Sequence, residues 1–542
     1  MKRTITTFVS LAAFSMIAVA QQPENPNLFP RNNVRYLSQI PLAGFPGSPA
    51  SGSGGCGYIS ATGKEYAIIG LRNGNAVVNI TNPLAPVIVG HIPGVNSQWH
   101  EVCVLGDYAY ACTEGGGGIQ IIDLRQVDAG IVTLAATYTG NGVSTGHTIE
   151  AIPESKLVII NGGNPSPPGG LRALDCQNPT APVEVGVWNT KYVHDAIYKT
   201  FTSGPNVGKT YCFAFCGTGD NAGMYIIDVT TTTNAQGLHI PAMQQVGYIK
   251  YFPNNNNFYS HSGVLSEDAK YVFANDEFDE INNLVSDAST HIIDVQDLTK
   301  PTYMGKFTNP INAIDHNSMI QDGFLFLSAY KAGVRVYDVS NPLAVKETGF
   351  FDSYWNGAGK QFNGAWGTWA AFPSGNVMIS DIDRGLFIVD PSEAKGLGAP
   401  IISVAVSGFN GSAAQGMTSL RKPDGNTFDM SVPGASIGSL TVNLATDSQA
   451  KSKVDFILRA KSRKDLGETV RLYATDQTNG TEVLIGTWTL DANLTEYKVL
   501  NQSGPTFIKA SDNSIKLRLE LKTRKNLAMA ADIDLIKAFV HN

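Results

Sequence analysis

The 542-residue sequence predicts an all-β protein, a seven-bladed β-propeller followed by a β-sandwich of jelly-roll type. Two observations lead to this fold class. An apolar strand that ends in Asn or Asp recurs roughly every 50 residues, and after residue 401 this repeat stops while short alternating segments continue. The seven copies are AVVNITNP (76–83), IQIIDLRQ (119–126), LRALDCQNPTAP (171–182), MYIIDVTT (224–231), THIIDVQDLTKP (290–301), VRVYDVSNP (334–342) and LFIVDPSE (386–393).

One copy shows what each repeat builds. Strands are predicted at 100–105, 108–113, 119–123 and 132–138, separated by glycine-containing turns. Four antiparallel strands form one propeller blade. Seven such blades are predicted between residues 34 and 391.

The seventh repeat lacks an outer strand after Asp390, whereas 34–41 matches the outer-strand pattern. Because a propeller closes into a ring, we expect 34–41 to pair beside 386–390. Residues 392–409 are predicted to be a linker and 410–542 the sandwich domain. The predicted sandwich strands are 454–462, 469–476, 482–490, 496–502, 514–523 and 531–540.

Residues 1–20 have a basic start, an apolar run and small residues before Gln21, which is typical of a secretory signal peptide. We expect a secreted, extracellular or cell-surface protein that begins with an extension at 21–33. No later apolar stretch has the length of a membrane span, so none is expected in the mature chain. The net charge of −7 disfavours nucleic acid as a partner.

The sequence contains six cysteines, and disulfides are permitted in an exported protein. Cys103 and Cys112 flank a predicted hairpin turn, and a cross-strand disulfide is expected for this pair. Cys212 and Cys216 lie on one strand, about 13 Å apart, which is too far for them to bond each other.

Five histidines each precede a short apolar run at the start of a repeat. The first strand of a blade lies nearest the axis, so we expect these histidines to meet at one mouth of the central channel. Imidazole and carboxylate groups together are ligands for Zn, Mn, Fe or Ca. The candidate metal ligands are His100, His147, His194, His261, His316, Asp276, Glu277 and Asp279.

Further polar and aromatic residues are expected around the same mouth as ligand-binding groups. Trp366 stands where the other repeats have histidine. These candidates are Glu101, Asp195, Asp315, Tyr330, Lys331, Trp366 and Arg384. A structural interpretation stays open: repeated histidines also lock neighbouring blades through hydrogen bonds, the acidic segment 275–287 also suits a solvated loop, and Trp366 also suits packing.

Several segments occur in an order that resembles the choice-of-anchor B family, which contains LVIVD repeats. They include WHEVCVLGDYAYACTE, GHTIEA, VHDAIY, SHSGVLSEDAKYVFANDEFDE and FNGAWGTWAAFPSGNVMISDIDRGLFIVD. The resemblance covers 34–391 and implies an exported propeller with a variable C-terminal attachment device. The C-terminal segment is similar in pattern to carbohydrate-binding modules, which implies glycan or another cell-envelope component as a partner.

Three functions fit the sequence. The first is a surface-associated binding protein with a histidine- and carboxylate-rich axial pocket, attached through its sandwich. The second is a metal-dependent hydrolase or lyase that uses the axial histidines, and the third is a structural subunit that associates with itself. Of these we favour the first.

Overall fold

The computed structural model describes residues 23–541 with several internal gaps. The gaps are 165–168, 218, 220, 253–257, 398–400, 408–427, 433–436, 446–452, 463–468, 491–492, 494, 510–513 and 523–528. The predicted signal peptide lies outside the described residues. Strands dominate throughout, so the predicted all-β fold class is confirmed.

Two short strands, β1 (Arg31–Asn32) and β2 (Arg35–Ile40), come first. Seven antiparallel sheets, each built on four strands, follow within the described part of residues 31–390. The first sheet consists of β3 (Gly52–Ile59), β4 (Glu65–Leu71), β5 (Gly74–Asn79) and β6 (Val87–Pro93). The second consists of β7 (His100–Leu105), β8 (Tyr108–Thr113), β9 (Ile119–Asp123) and β10 (Thr133–Tyr138). The third consists of β11 (Thr148–Ile152), β12 (Leu157–Asn161), β13 (Leu171–Asp175) and β14 (Val183–Trp188).

The fourth sheet carries a small inserted hairpin between its third and last strands. It consists of β15 (Asp195–Thr200), β16 (Thr210–Cys216), β17 (Gly223–Asp228) and β20 (Gln244–Ile249), and the hairpin of β18 (Thr231–Thr233) and β19 (His239–Pro241). The fifth consists of β21 (Ser262–Leu265), β22 (Tyr271–Asn275), β23 (Ser289–Asp294) and β24 (Thr302–Thr308). The sixth consists of β25 (Ser318–Gln321), β26 (Phe324–Ser328), β27 (Val334–Asp338) and β28 (Lys346–Phe351), with β1 added beside β28. The seventh consists of β29 (Ala365–Trp369), β30 (Val377–Asp381), β31 (Gly385–Asp390) and β2.

The first strands of these sheets form a closed ring. Each one contacts the first strand of the next sheet, and β29 of the seventh sheet contacts β3 of the first. Strand β2 pairs with β31, with Arg35 opposite Asp390 and Ile40 opposite Leu386. The N-terminal segment therefore supplies the outer strand that the seventh repeat lacks.

Apolar side chains fill the space between adjacent sheets. Between the second and third sheets, for example, Ile119 and Ile121 pack against Val158 and Ile160, and all four are fully buried. This packing explains the short apolar runs of every repeat, because the inner strands are covered on both faces. Short 3-10 helices lie in the loops at Pro26–Leu28, Leu42–Gly44, Val127–Ala129, Gly140–Gly142 and Pro153–Ser155.

The C-terminal part contains two antiparallel sheets that share one apolar core. One sheet has the order β32-β34-β39-β36-β37 and the other the order β33-β40-β35-β38. Alternate residues of β39 point into this core, where Ile515, Leu517 and Leu519 are buried. The strands are β32 (Ile401–Ser407), β33 (Phe428–Val432), β34 (Ile437–Ala445), β35 (Lys453–Ser462), β36 (Thr469–Thr475), β37 (Glu482–Thr489), β38 (Thr495–Ser503), β39 (Ser514–Lys522) and β40 (Met529–His541), with one helical turn, α1 (Gly504–Phe507).

The predicted linker 392–409 extends too far. Residues Ile401–Ser407 form strand β32, which pairs with β34. The repeat pattern has already stopped at this point, and a short apolar run without a neighbouring turn signal does not by itself distinguish a strand from a linker.

The prediction of a disulfide between Cys103 and Cys112 is wrong, because all six cysteines are free in this structure. The reason is register: Cys103 lies opposite Tyr110, whereas Cys112 lies opposite Glu101. Only directly opposed residues approach closely enough for a cross-strand disulfide.

No helix among the described residues has the length and apolar character needed to cross a bilayer.

Candidate functional site

Four of the five repeated histidines occupy corresponding positions just before the first strand of their sheets. The backbone N–H of His147 donates to the carbonyl of Asn161 at 2.9 Å, and that of His194 donates to Phe215 at 2.8 Å. His261 and His316 donate in the same way, to the second strands of their own sheets. One local hydrogen-bond pattern therefore places all four side chains at the ring axis.

The four imidazole rings form an arc. Ring centroids are 4.0 Å apart for His147 and His194, 4.2 Å for His194 and His261, and 4.7 Å for His261 and His316. Trp366 continues the arc at 5.1 Å from His316. We call His147, His194, His261, His316 and Glu277 the axial cluster.

Three of these imidazoles are held through Nδ1. The Nδ1–H of His194 donates to the His261 carbonyl at 3.1 Å, and that of His316 donates to the Trp366 carbonyl at 2.6 Å. Because a carbonyl oxygen only accepts, Nδ1 must carry the proton in both rings. His147 Nδ1 lies 2.6 Å from a Glu114 carboxylate oxygen. The Nε2 lone pair is thereby left free in the His194 and His316 rings, which is the arrangement that metal-ligating histidines adopt.

Glu277 faces the histidines from the turn after β22. Its carboxylate oxygens lie 3.5 Å from His261 Nε2 and 3.7 Å from His316 Nε2, and Tyr330 donates its hydroxyl to the carboxylate at 2.7 Å. Both Glu277 (φ 59°) and Tyr330 (φ 41°) have left-handed backbone conformations. Such strain costs about 1–3 kcal/mol per residue and concentrates at functional sites.

Burial favours the neutral forms of His194, His261, His316 and Glu277. Desolvation lowers the pKa of His194 and His261 well below the ordinary value, and the neighbouring imidazoles add to this effect. Desolvation likewise lowers the pKa of His316 to about 3. It raises the pKa of Glu277 to about 7, against the opposing hydrogen bond from Tyr330. The neutral imidazoles can bind a cation without first losing protons, whereas a protonated Glu277 releases its proton when it binds one.

One atom from each of His194, His261 and Glu277 lies within 4.8 Å of the other two. Nδ1 of His261 is also buried without a hydrogen-bond partner. Nitrogen-rich groups of this kind suit zinc and the neighbouring transition metals. The residues present therefore fit a divalent transition-metal ion at the axis.

His100 does not join the axial cluster, contrary to the sequence prediction. It is itself the first paired residue of β7, opposite Thr113, whereas the other strands begin one or two residues after their histidine. Its backbone N–H donates to the Ser53 hydroxyl of the neighbouring sheet at 2.9 Å, whereas the other four histidines donate to the second strand of their own sheet. The His100 ring accordingly lies near the Val95 carbonyl, 3.1 Å from its Nε2.

Asp276, Asp279 and Asp315 also lie apart from the histidine rings of the axial cluster. They form a second group with Glu280 and His291, which we call the acidic cluster. His291 Nε2 lies 3.0 Å from Asp276 Oδ2. Asp276 and Asp315 immediately precede two members of the axial cluster in the chain, so adjacent residues send their side chains to different clusters.

His291 and Glu280 were missed by the sequence analysis. A signal for His291 was present: it stands in the repeated strand THIIDV, where the corresponding residues include Gln120, Arg172 and Phe387. Strand pairing places His291 opposite Ala274, next to the acidic turn. Glu280 lies in the acidic segment, but its complete burial has no counterpart in the sequence.

Carboxylates line the part of the central channel that is formed by the first strands of the sheets, just after the histidine positions. A cavity of about 570 Å³ is bordered by Glu101, Glu150, Asp195 and Trp366 among others. The Trp366 indole N–H donates to Glu101 at 2.7 Å. Desolvation raises the pKa of Glu101 to about 8 and that of Asp195 to about 6. The Glu150 side chain is exposed to the channel. Because the inner strands surround this channel, desolvation raises the pKa of Glu150 as well.

Two predicted ligand-binding residues have other partners. Arg384 bonds to Glu24 at 2.6 Å and lies over the rings of Tyr354 and Trp355. Lys331 donates to Gln361 at 2.9 Å. Both residues follow strands that end near the ring mouth, but their side chains turn toward surface loops rather than toward the axial cluster.

No protein-family model and no curated protein matches this sequence. Among solved structures, the N-terminal domain of Nup159 is similar, with 11% identity, a TM-score of 0.39, and coverage of 66% of this chain and 95% of that one. The C-terminal WD40 domain of Sif2 has 11% identity, a TM-score of 0.37, and coverage of 62% and 81%. TmCBM61, solved with β-1,4-galactotriose, has 14% identity, a TM-score of 0.19, and coverage of 27% and 97%. Values this low carry no functional information, and the resemblance to the choice-of-anchor B family stays a prediction.

Proposed function

We propose that this protein is a secreted binding protein whose axial cluster holds a divalent transition-metal ion. The observation that carries this proposal is the convergence of His194, His261 and Glu277, one ligand atom of each lying within 4.8 Å of the other two, with the His194 ring held through Nδ1. Hydrogen bonds of this kind orient imidazoles for a metal. His194, His261 and Glu277 are the proposed ligands.

The channel beside the ion supplies the remaining recognition groups. Glu101, Glu150 and Asp195 line the cavity next to the axial cluster. We propose that a small polar ligand enters this cavity, bonds to the carboxylates and meets the open positions of the ion. A metal-bound group and hydrogen-bonding side chains together fix the orientation of a ligand.

Zinc titration calorimetry of the full chain tests this function. We expect one zinc ion per chain at the axis, and a His194→Ala/His261→Ala variant should lose more than the roughly 10- to 100-fold in affinity that a change outside the ligand set costs. His100→Ala is the matched control. His100 occupies the same place in its repeat as the axial histidines, but its Nε2 lies beside the Val95 carbonyl instead. Equal zinc binding by the double variant and the wild type would refute the proposal.

A metal-dependent hydrolase or lyase is the second candidate. Glu101 favours it, because burial raises the pKa of this carboxyl to about 8 and leaves it protonated at neutral pH. A protonated carboxylic acid close to a metal site is suited to general acid catalysis. A screen of ester, lactone and glycoside substrates with the zinc-loaded protein tests this candidate, and a Glu101→Gln variant that keeps full turnover would exclude that role.

The C-terminal pair of sheets is proposed to attach the protein to glycan. Trp488 lies against Gly486, with its ring centroid 5.5 Å from that of Tyr497, so that two partly exposed aromatic rings adjoin. Aromatic faces offer a flat apolar contact surface with a polar edge. Binding of the full chain to insoluble polysaccharides should fall in Trp488→Ala and stay unchanged in Trp99→Ala, a substitution of an exposed tryptophan elsewhere.

A further inference from the structure

The acidic cluster is buried to a degree that is unusual for carboxylates. Asp276, Glu280 and Asp315 are 0% exposed and Asp279 is 1% exposed. Burying an ionised carboxylate is strongly unfavourable unless a partner compensates its charge. The structure thus concentrates four acids where water does not solvate them.

Protein cations compensate only part of this charge. Among the described residues, no Lys or Arg forms an ion pair with any of the four carboxylates. Lys306 is the nearby basic residue: its charge opposes the burial that raises the pKa of Asp279 to about 6, but its ammonium donates to Ser289 at 3.1 Å. The cluster also contains His291, which is 1% exposed.

Glu280 gives an independent indication of a missing partner. Both of its carboxylate oxygens are buried without a hydrogen-bond partner of normal geometry, and so is Oδ1 of Asp279. Burial raises the pKa of Glu280 to about 9, and the nearby backbone N–H groups of Glu280 and Ser289 only moderate this increase. An oxygen of Glu280 lies within 4.8 Å of oxygens from both Asp276 and Asp315. A completely buried, unpartnered carboxylate is thus directed into the cluster.

We infer that the acidic cluster binds a second divalent cation, of the oxygen-preferring class that includes Mn²⁺ and Ca²⁺. Asp276, Glu280 and Asp315 supply one group of ligands, and Asp276 also belongs to a neighbouring group with Asp279 and His291. Carboxylate oxygens are the preferred ligands of such ions, and one imidazole is compatible with Mn²⁺. This site uses none of the side chains assigned to the axial ion.

The second cation would also position the axial cluster. Asp276 and Asp315 are joined through the chain to Glu277 and His316, and the Glu277 N–H donates to Asp315 Oδ1 at 3.4 Å. Glu277 has a strained left-handed conformation that its surroundings must maintain. An ion that ties the two aspartates together holds this strained residue toward the axis.

Electron paramagnetic resonance of Mn²⁺ added to the chelator-stripped full chain tests the inference. We expect one tightly held Mn²⁺ per chain that excess Ca²⁺ displaces. Glu280→Gln should lower the Mn²⁺ affinity at least tenfold. Asp287→Asn, which removes a charge from the same acidic segment at a partly exposed position, should leave that affinity unchanged.

The outcomes separate this site from the axial one. The His194→Ala/His261→Ala variant should lose zinc and keep Mn²⁺, whereas Glu280→Gln should still bind one zinc ion per chain, with a lower affinity because Glu277 loses the support of the second ion. If Glu280→Gln does not fold, His291→Gln replaces it in the same measurement. Absence of bound Mn²⁺ and Ca²⁺ in the wild type, or equal Mn²⁺ affinity in the wild type and the folded variant, would overturn the inference.

Discussion

Glu114 illustrates how a single residue outside the proposed ligand set acts on the axial site. It lies 2.6 Å from His147 Nδ1 and orients a ring whose nearest neighbour is His194. The structure identifies His147 as the histidine that Glu114 contacts. Its contribution is to fix the direction of an imidazole rather than to touch the ion.

Replacing Glu114 should therefore weaken metal binding without unfolding the protein. We expect Glu114→Ala to lower zinc affinity by less than the roughly 10- to 100-fold that follows loss of a hydrogen bond to a ligating histidine, because His147 packs against the ligand His194 but is not itself a proposed ligand. Zinc titration calorimetry measures this effect. Glu154→Ala, which removes an exposed carboxylate from the turn after β11, is the control, and equal losses in the two variants would contradict a specific role for Glu114.

Glu101 links one buried carboxyl to the pH dependence of stability. Burial raises its pKa from 4.5 to about 8 in the folded protein. Between these values the folded chain keeps a proton that the unfolded chain releases, so rising pH favours unfolding. This contribution to stability is complete below the unfolded pKa and is lost as the pH rises through the folded pKa.

Denaturant unfolding of chelator-treated protein between about pH 6.5 and 8 measures this contribution. With rising pH, the free energy of unfolding of the wild type should decline relative to that of Glu101→Gln, which has no proton to release. The buried histidines titrate in the same way in both proteins, so their effect cancels in this comparison. Parallel curves for the two proteins would show that Glu101 ionises normally.

At the level of strands, the hydrogen bonds at the strand starts differ between sheets. The histidine repeat correctly indicates convergence for His147, His194, His261 and His316, whose rings lie in one arc. It misplaces His100, whose backbone N–H donates to Ser53 of the neighbouring sheet and whose ring lies near the Val95 carbonyl. Sequence spacing does not reveal these contacts, because they come from segments that are distant in the chain.

The pairing of β2 with β31 makes ring closure testable with one substitution. Gly385 begins β31 with φ +86°, and a Cβ there would overlap the Ile40 carbonyl oxygen of β2. Gly385→Ala should therefore destabilise the protein by at least about 1 kcal/mol more than a glycine change that meets only backbone strain.

Gly375→Ala is the matched control for this measurement. Gly375 has φ +77°, but a Cβ there would meet no atom within 4 Å. Thermal or denaturant unfolding of both variants gives the difference. A similar loss of stability in the two variants would mean that the contact between β2 and Gly385 contributes nothing beyond backbone conformation.

For the molecule as a whole, the sequence predicts the class of fold better than the chemistry of the site. Repeated strands and turns indicate the sheets, because each repeat must bury the same apolar positions. The predicted strands 454–462 and 514–523 likewise nearly coincide with β35 and β39. Local patterns carry this information without knowledge of distant contacts.

The division into two clusters depends on three-dimensional contacts instead. Asp276 and Glu277 are adjacent and chemically alike, yet one contacts His291 and the other His261. His291 is brought to the acidic turn by the pairing of β22 with β23. The sequence therefore draws attention to the acidic segment but assigns Asp276, Glu277 and Asp279 to one site.

Anomalous X-ray diffraction at the zinc absorption edge would locate an axial ion without reference to affinity. Crystals of the zinc-loaded full chain should show an anomalous peak between His194, His261 and Glu277, about 2.0–2.3 Å from the ligand atoms. No peak at the axis, or a peak only beside His100, would contradict a metal site in the axial cluster.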